Sequence, residues 1–279
     1  MTQFAFQQVD VFASAPLGGN ALAVVVGADA LSDAQMAAFA NWTNLAETAF
    51  LLAPTDPQAD YRVRIFTTER ELPFAGHPTL GSAFVWLAAG GKPRASEIIQ
   101  QCGIGLVRLR RDAGRLAFAA PSLTRSDAVE PALLARVAFG LGIAPTAIIA
   151  SSWLVNGPEW LGVELASRAE VLALRPDKAR LVGLDIGVVA RCVASDNIDA
   201  AFEVRAFPND AASYEDPVTG SLNAGLAQWL LGSGRATSPY IAAQGTALGR
   251  AGRVHVESIG ADIWIGGDCV TILSGTLTL

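Results

Sequence analysis

The sequence predicts an α+β protein of two pseudo-symmetric domains that arose by internal duplication, each a mixed sheet with a central helix. Residues 61–66 and 202–207 alternate apolar and polar side chains, which is the period of a half-buried strand. A glycine followed by a polar residue opens a helical pattern at Gly76 and again at Gly220. The matched segments lie about 140 residues apart. Self-similarity at one offset indicates a repeated unit.

The first half contains seven predicted strands and two predicted helices. One helix spans residues 32–42, with Ser32 as N-cap and with Met36, Phe39 and Ala40 on its buried face. The second follows Gly76 and ends at Gly90 and Gly91, as expected of glycine C-caps. The predicted strands span residues 9–12, 21–26, 61–66, 96–101, 105–110 and 115–119, and residues 47–52 form an apolar segment that predicts a further strand.

The second half repeats this plan after a linker that begins at Pro121 and a helix over residues 130–139. Residues 160–165 match residues 20–25, and residues 202–207 match residues 61–66. The glycines and the final alanine of residues 220–227 match those of residues 76–83, and Gly252 begins a strand that matches residues 105–110. We therefore predict a first domain over residues 1–120 and a second over residues 121–268.

Composition narrows the class of protein. The chain has 279 residues, of which 51% are hydrophobic and 16% charged, which is typical of a globular protein. Its net charge of -6, with no basic cluster longer than residues 108–111, argues against a nucleic-acid partner. No secretory signal and no uninterrupted apolar window long enough for a membrane helix is found, so we expect a cytoplasmic protein. Three dispersed cysteines and two isolated histidines give no metal-binding pattern.

The stretch 207–225 carries the densest group of candidate site residues. Asp216, Thr219, Gly220 and Ser221 lie between a predicted strand and a predicted helix. Unpaired N–H groups and the positive end of the dipole at a helix start favour an anion. An ordinary capped helix is the alternative, because Asp, Ser and Thr are also common N-cap residues.

A second helix start of the same kind precedes His77, since Gly76 opens the first domain's helix after an acidic loop. If the two halves face each other, both helix starts converge on one cleft, where they would bind a carboxylate. The sequence therefore predicts a small anionic substrate.

The motifs NLAETAF (44–50), RIFTTERELPFAGHPTLGSA (64–83) and FPNDAASYEDPVTGSLNAG (207–225) resemble those of the PhzF-like phenazine-biosynthesis isomerase family, within the diaminopimelate-epimerase-like superfamily. QGTALGRAGRVHVE and IGGDCVTILSGTL extend the resemblance towards the end of the chain. It implies two domains, each a sheet curled around a central helix, with residues 269–279 returning to the first. It also implies a homodimer, an active site between the domains and no cofactor.

The resemblance assigns the catalytic base to Glu47, supported by His77, Asp216 and Ser221. The reaction implied is a proton shift on trans-2,3-dihydro-3-hydroxyanthranilate or a similar small carboxylate. We assign substrate binding to Asn20, Gly76, Thr219 and Gly220. Superfamily members that use two opposed cysteines have them at the helix starts. Here those positions are Gly76 and Gly220, so two-thiol chemistry is not available.

The chemistry of these residues supports the assignment, with an alternative at each position. Glu47 precedes an apolar strand, where partial desolvation would suit a general base, although Asn44 and Glu47 also have capping-box spacing. His77 could move a proton or be a packed loop histidine held by a backbone carbonyl. Asp216 could orient His77 or be an N-cap. Ser221 and the N–H groups near Gly220 would hold the carboxylate. Asp10 and His255 receive no role, since Asp10 is predicted to alternate out of its strand.

One departure from the family pattern leaves the exact substrate open, and two alternative functions are also possible. The phenazine enzyme tends to have a histidine two residues after the motif serine, where this chain has Asn223, so its exact substrate is open. The first alternative function is an amino-acid racemase or epimerase that uses Glu47 with Asp216 or His77 as opposed bases. The second is a binding protein that kept the fold without the chemistry.

Overall fold

The computed structural model describes residues 1–112, 114–209 and 215–279. Residues 210–214 of the predicted site stretch lie outside the described residues. The chain forms two compact units, one of residues Met1–Ala119 and Ile265–Leu279 and the other of residues Ala120–Trp264. Among the described helices, none combines the length and the apolar character that crossing a bilayer requires.

Among its described residues, the first unit contains two α-helices and nine strands, the last of which begins near residue 269. In chain order the elements before residue 120 are β1 (Gln3–Val11), β2 (Asn20–Val26), α1 (Asp33–Thr43), β3 (Glu47–Leu52), β4 (Tyr61–Phe66), β5 (Glu71–Leu72), α2 (Gly76–Ala88), β6 (Ile98–Cys102), β7 (Gly105–Asp112) and β8 (Arg115–Ala119).

The part of the second unit that the structure describes contains three α-helices, and after it the chain returns to the first unit. Its elements are α3 (Pro131–Leu141), β9 (Ala150–Val155), β10 (Glu159–Glu164), α4 (Arg168–Ala173), β11 (Asp185–Arg191), β12 (Phe202–Phe207), α5 (Gly220–Gly232), β13 (Tyr240–Gln244) and β14 (Gly252–Ile259), followed by β15 (Asp262–Gly267) and β16 (Cys269–Thr278). β15 begins in the second unit and ends in the first, and β16 pairs antiparallel with β1.

The sheet of the first unit is mixed, in the order β16-β1-β2-β3-β4-β6-β7-β8 with β5 added beside β4. β2 pairs parallel with β3, and β4 pairs parallel with β6, whereas the other neighbours are antiparallel. α2 packs against β1 and β16 at one end of this order and against β8 at the other. Because one helix touches both ends, the sheet curls around it.

The second unit has the order β14-β13-β12-β11-β10-β9. Its parallel pairs are β10 with β11 and β12 with β13, so parallel and antiparallel neighbours alternate as they do from β1 to β7. α5 packs against β9 and β10 at one end and against β14 at the other. The α+β fold class and the central helices are therefore confirmed, and descent from one duplicated half stays a prediction.

The central helix α2 is buried on every side over residues 76–83, as expected for a helix without a polar stripe. Gly81 lets it lie close to the sheet, since a Cβ atom there would come within 2.5 Å of Leu22 and 3.0 Å of Val11. Contacts below 3.0 Å would force the backbone or the neighbouring side chains to move. The glycine is therefore needed for the spacing between α2 and its sheet.

α1 confirms the predicted amphipathic helix. Ser32 is its N-cap and forms a capping box with Gln35. The predicted inner face is buried, and Phe39 packs edge-on against Phe50 of β3, with ring centroids 6.3 Å apart. The helix ends at Thr43, and Asn44 takes the left-handed conformation (φ 55°) that turns the chain into β3.

The start of the chain differs most from its prediction, because β1 spans nine residues instead of four. Pairing with β2 on one side and β16 on the other extends the strand back to Gln3. Val9, Asp10 and Val11 are all buried, so both faces of this end of β1 are covered. The prediction that Asp10 points out of the strand is wrong.

Candidate active site

Glu47 begins β3, directly beside β2, with which β3 pairs parallel. Asn44 is the C-cap of α1 and does not begin a helix, so the capping-box alternative for Glu47 is wrong. The Glu47 side chain is 16% exposed. A carboxylate at this depth keeps access to solvent and to a ligand while losing part of its hydration.

His77 lies directly behind this carboxylate, as the second residue of α2. Its Nε2 is 3.4 Å from Oε2 of Glu47, and its side chain is 3% exposed. The alternative of a packed loop histidine held by a backbone carbonyl is wrong, because His77 is helical and both ring nitrogens contact side chains. Glu47 is therefore the more accessible member of the pair.

Asn20, the first residue of β2, determines which nitrogen of His77 carries the proton. Its amide Nδ2 is 3.3 Å from Nδ1 of the ring. An amide NH₂ group donates and does not accept, so Nδ1 is the acceptor and the proton of the neutral ring lies on Nε2. Nε2, which then carries the proton, lies 3.4 Å from Oε2 of Glu47, a close contact that lacks hydrogen-bond geometry. The imidazole thus faces the Glu47 carboxylate with a neutral N–H group.

Burial lowers the pKa of His77 to about 3, since its side chain would have to carry a charge without water. The positive end of the α2 dipole acts in the same direction. His77 is consequently neutral at physiological pH. Towards Glu47 it therefore presents a neutral N–H group.

We expect this neutral histidine to make the protein lose stability as the pH falls. Between pH 6.5 and about 3 the unfolded chain binds a proton at His77 that the folded chain does not, so the unfolding free energy decreases with falling pH. The loss is about 1.4 kcal/mol per pH unit within that window. Urea titrations of the wild type and of His77→Gln across this pH window check the loss. The difference in unfolding free energy between the two proteins should decrease by that amount for each pH unit, because only the wild type has the histidine. Equal slopes for both proteins would contradict the assignment.

In the second unit, α5 begins at Gly220, and its N-cap residue is Thr219. The Thr219 side chain makes no capping bond to the helix, and neither does that of Ala75 at the start of α2. Asp216 is not the N-cap, because its Oδ2 accepts a hydrogen bond from Thr219 Oγ1 at 2.5 Å. The interpretation as an ordinary capped helix is therefore wrong. Helix starts without side-chain caps retain donors that suit an anion.

Ser221, the second residue of α5, is held by two side chains that the sequence analysis did not select. Trp160 Nε1 donates to Ser221 Oγ at 3.0 Å, and Asn156 Nδ2 donates to the Ser221 carbonyl at 2.8 Å. An indole N–H only donates, so Ser221 Oγ accepts it and keeps its own proton for another acceptor. Trp160 matches Asn20 in the repeat, and this match is the signal that could have identified it.

Asp10 is a further residue that the sequence analysis dismissed. Its Oδ2 accepts a hydrogen bond from the Gly19 backbone N–H at 3.0 Å, and Asp10 is 2% exposed. That bond holds the turn directly before Asn20. Its influence on the site passes through the backbone, which residue patterns do not reveal.

The structure thus brings the predicted residues into two groups, each within one unit. Asn20, Glu47 and His77 form the first group, beside Gly76 at the start of α2. The second consists of Asp216 and Thr219, which share a hydrogen bond, and of Gly220 and Ser221 in the first turn of α5. Convergence of the two helix starts on one cleft stays a prediction, and so does a contact of Asp216 with His77.

A family model described as phenazine biosynthesis-like protein matches residues 9–275. The chain belongs to the phenazine biosynthesis-like (PhzF) family. Relatives of this PhzF-type chain include trans-2,3-dihydro-3-hydroxyanthranilate isomerase of Pseudomonas aeruginosa, which is 33% identical over 91% of this chain and 90% of its own length. Antisense-enhancing sequence 1 of Schizosaccharomyces pombe is 35% identical over 99% of both chains.

The crystal structure of a PhzF family protein from Enterococcus faecalis has the same fold, with a TM-score of 0.82 at 25% identity over 100% of both chains. Other relatives of this PhzF-type chain are named isomerases as well, including one from Pasteurella multocida that is 30% identical over 99% of this chain and 95% of its own length. The chain is an enzyme of the isomerase class.

Proposed function

We propose that this protein is a cofactor-independent isomerase that moves a proton between carbon atoms of a small carboxylated substrate, with Glu47 as general acid and base. The proposed substrate class is that of the relatives named trans-2,3-dihydro-3-hydroxyanthranilate isomerase. The observation that supports it most is the pair formed by Glu47 Oε2 and the neutral Nε2–H of His77, 3.4 Å apart.

In the proposed reaction, the Glu47 carboxylate removes a proton from a C–H group of the substrate. The electron pair of that bond moves into the conjugated system, and the protonated Glu47 returns the proton to another carbon. No atom is gained or lost, and no oxidant or reductant is needed. A base that lies against the C–H group and can return a proton nearby is the standard requirement of such a shift. Because Glu47 is 16% exposed, the proton that it holds can exchange with solvent before it is returned.

His77 is proposed to support this step as the neutral neighbour of one Glu47 oxygen, 3.4 Å away. Because His77 is neutral, its N–H steadies the carboxylate without the strong stabilisation that an imidazolium charge would give it, so Glu47 stays basic enough to take a proton. Asn20 keeps the ring in the tautomer that this requires.

The carboxylate of the substrate is assigned to Ser221 and to the first N–H groups of α5. Ser221 accepts from Trp160, which leaves its hydroxyl proton for the ligand. The N–H groups at the start of α5 carry partial positive charge, so they can bind the substrate carboxylate without a basic side chain. Such local binding suits a protein whose net charge of -6 does not attract anions. Gly76, Thr219 and Gly220 are proposed to contribute to substrate binding, and Asp216 to take part in proton transfer.

The homodimeric state, the cytoplasmic location and the duplication of one ancestral half belong to the same proposal. The first two rest on the resemblance to the family. The third is also supported by the alternation of parallel and antiparallel pairs in both units.

Solvent exchange tests the proposed reaction. In D₂O, without added coenzyme, we expect the enzyme to convert trans-2,3-dihydro-3-hydroxyanthranilate and to place deuterium at a carbon that gains hydrogen, as read by NMR. Proline and 4-hydroxyproline serve as racemase substrates in parallel. Exchange at the α-carbon of an amino acid, without conversion of the cyclohexadiene, would favour the racemase alternative. Binding without any exchange would favour the non-catalytic one.

A further inference from the structure

We infer that Gln244, acting through the Thr219 hydroxyl, is a positioning residue that commits Oδ2 of Asp216 as an acceptor, so that any proton carried by Asp216 lies on Oδ1. The inference rests on the proposed function, which places Asp216 in the proton transfer. It adds two residues with a defined task and names the oxygen that reacts.

The argument starts from a backbone carbonyl. The carbonyl oxygen of Thr219 can only accept, and Asn223 Nδ2 donates to it at 2.9 Å. The same amide nitrogen is 2.8 Å from Gln244 Oε1. Asn223 therefore turns its NH₂ group towards Gln244, which has to present its oxygen.

A second backbone group fixes the Gln244 amide in the same way. The Thr219 N–H donates to Gln244 Oε1 at 3.0 Å. Gln244 Nε2 must then face the opposite side, where it donates to the Asp216 carbonyl at 3.0 Å and to Thr219 Oγ1 at 2.9 Å. Gln244 is fully buried, and both its amide atoms are used twice. Rotating the Gln244 amide by half a turn would place its NH₂ group against the Thr219 N–H and the Asn223 NH₂ group, which are also donors. Only the observed orientation therefore satisfies all of these hydrogen bonds.

The orientation of the Gln244 amide also determines the direction in which the Thr219 hydroxyl donates to Asp216. Since Oγ1 accepts from Gln244, its single proton is available only for donation, and Asp216 Oδ2 lies 2.5 Å away. That length is typical of a hydroxyl donating to a carboxylate oxygen. Oδ2 is thus committed as an acceptor, and Asp216 can carry a proton on Oδ1 alone.

The first unit contains a matched contact that serves as a control. Gln100 Nε2 donates to Thr79 Oγ1 at 3.1 Å, and Gln100 Oε1 accepts from Tyr61 at 2.8 Å. Thr79 is fully buried and is the fourth residue of α2, as Asn223 is of α5. In the part of the chain that the structure describes, no carboxylate is recorded on the Thr79 hydroxyl. Replacing Thr79 therefore removes a buried Gln–Thr bond without affecting an acid.

The test compares Thr219→Val, which removes the hydroxyl at constant shape, with Thr219→Ser, which keeps it. We expect Thr219→Val to lower kcat at least tenfold with a smaller change in KM. We also expect it to move the acid limb of the kcat/KM profile to higher pH, because the carboxylate loses a donor that favours its charged form. Thr219→Ser should restore both, and Thr79→Val should leave the profile unchanged. If Thr219→Val folds and keeps the kcat and the pH profile of the wild type, the inference is overturned.

A measurement without substrate separates this inference from the proposed function. In a double-mutant cycle with Asp216→Asn, we expect Thr219→Val to lower the urea midpoint of the wild type more than that of the Asp216→Asn protein. Equal losses in both backgrounds would overturn the inference whatever the activity. If the losses are unequal, as expected, and Asp216→Asn nevertheless turns over at the full rate, the positioning contact is supported. The role of Asp216 in the reaction is then overturned.

Discussion

Glu47→Gln is expected to lower kcat by about 10²–10⁴, with the fold and the stability largely kept. The amide has nearly the shape of the carboxylate, but it cannot take a proton from carbon. The contact with His77 Nε2 can be kept, because the Gln side chain can place its oxygen, an acceptor, where Oε2 of Glu47 lies. Initial rates on trans-2,3-dihydro-3-hydroxyanthranilate, with deuterium exchange as a second readout, measure the loss.

Glu97→Gln is the matched control for this replacement. Glu97 lies beside the start of β6, is 33% exposed and pairs with Arg108 at 3.7 Å, outside the proposed site. The same change of charge and shape there should leave kcat within a factor of two of wild type. Turnover by Glu47→Gln equal to that of the control would remove Glu47 from the base position.

Glu215→Ala is expected to lower the free energy of unfolding by about 3–5 kcal/mol, because it leaves a buried guanidinium without its carboxylate. Arg205 and Glu215 form two parallel hydrogen bonds of 2.9 and 2.7 Å, and their side chains are 6% and 4% exposed. Arg205 also donates to the carbonyls of Val171 and Leu174 at the end of α4. The pair therefore joins β12 and α4 to the residue that precedes Asp216.

Two comparisons sharpen this test in urea titrations followed by tryptophan fluorescence. Asp199→Ala breaks the pair with Arg253, in which the Asp199 side chain is 71% exposed, and should cost only about 0–1 kcal/mol. The double replacement Arg205→Met with Glu215→Leu removes both charges and should be more stable than Glu215→Ala. A loss for Glu215→Ala no larger than that for Asp199→Ala would show that burial of the pair has little energetic weight.

The site could be predicted from the sequence only where local pattern and repeat agree. His77 and Ser221 each follow the glycine that opens a helix, whereas Glu47 was assigned through the resemblance to the family, with its place at the start of an apolar strand as support. Asp10 was misjudged because alternation along β1 assumes one exposed face, whereas both faces of this strand end are covered. Trp160 was read only as part of a repeated strand.

Gln244 shows most clearly what could not be predicted from the sequence. In the sequence it stands in a short segment, Ala243-Gln244-Gly245, which is similar to residues 101–103 of the first half. In the structure, Gln100 and Gln244 are the residues that bond to a threonine at or near the start of α2 and α5. Neither contact follows from spacing, since β6 and β13 come after the helices and reach their first turns only through the fold.

Local sequence pattern alone predicted many of the strands, the two glycine-started helices and the two-part plan, whereas the acid and base candidates came from the resemblance of the motifs to the family. The pattern could do so because periodicity, capping residues and turn formers act over a few neighbouring residues. Only the tertiary structure decided the direction of the donated protons, from Asn20 to His77 and from Gln244 to Thr219 to Asp216. Those directions depend on which donors and acceptors from distant strands meet in a buried space without competing water.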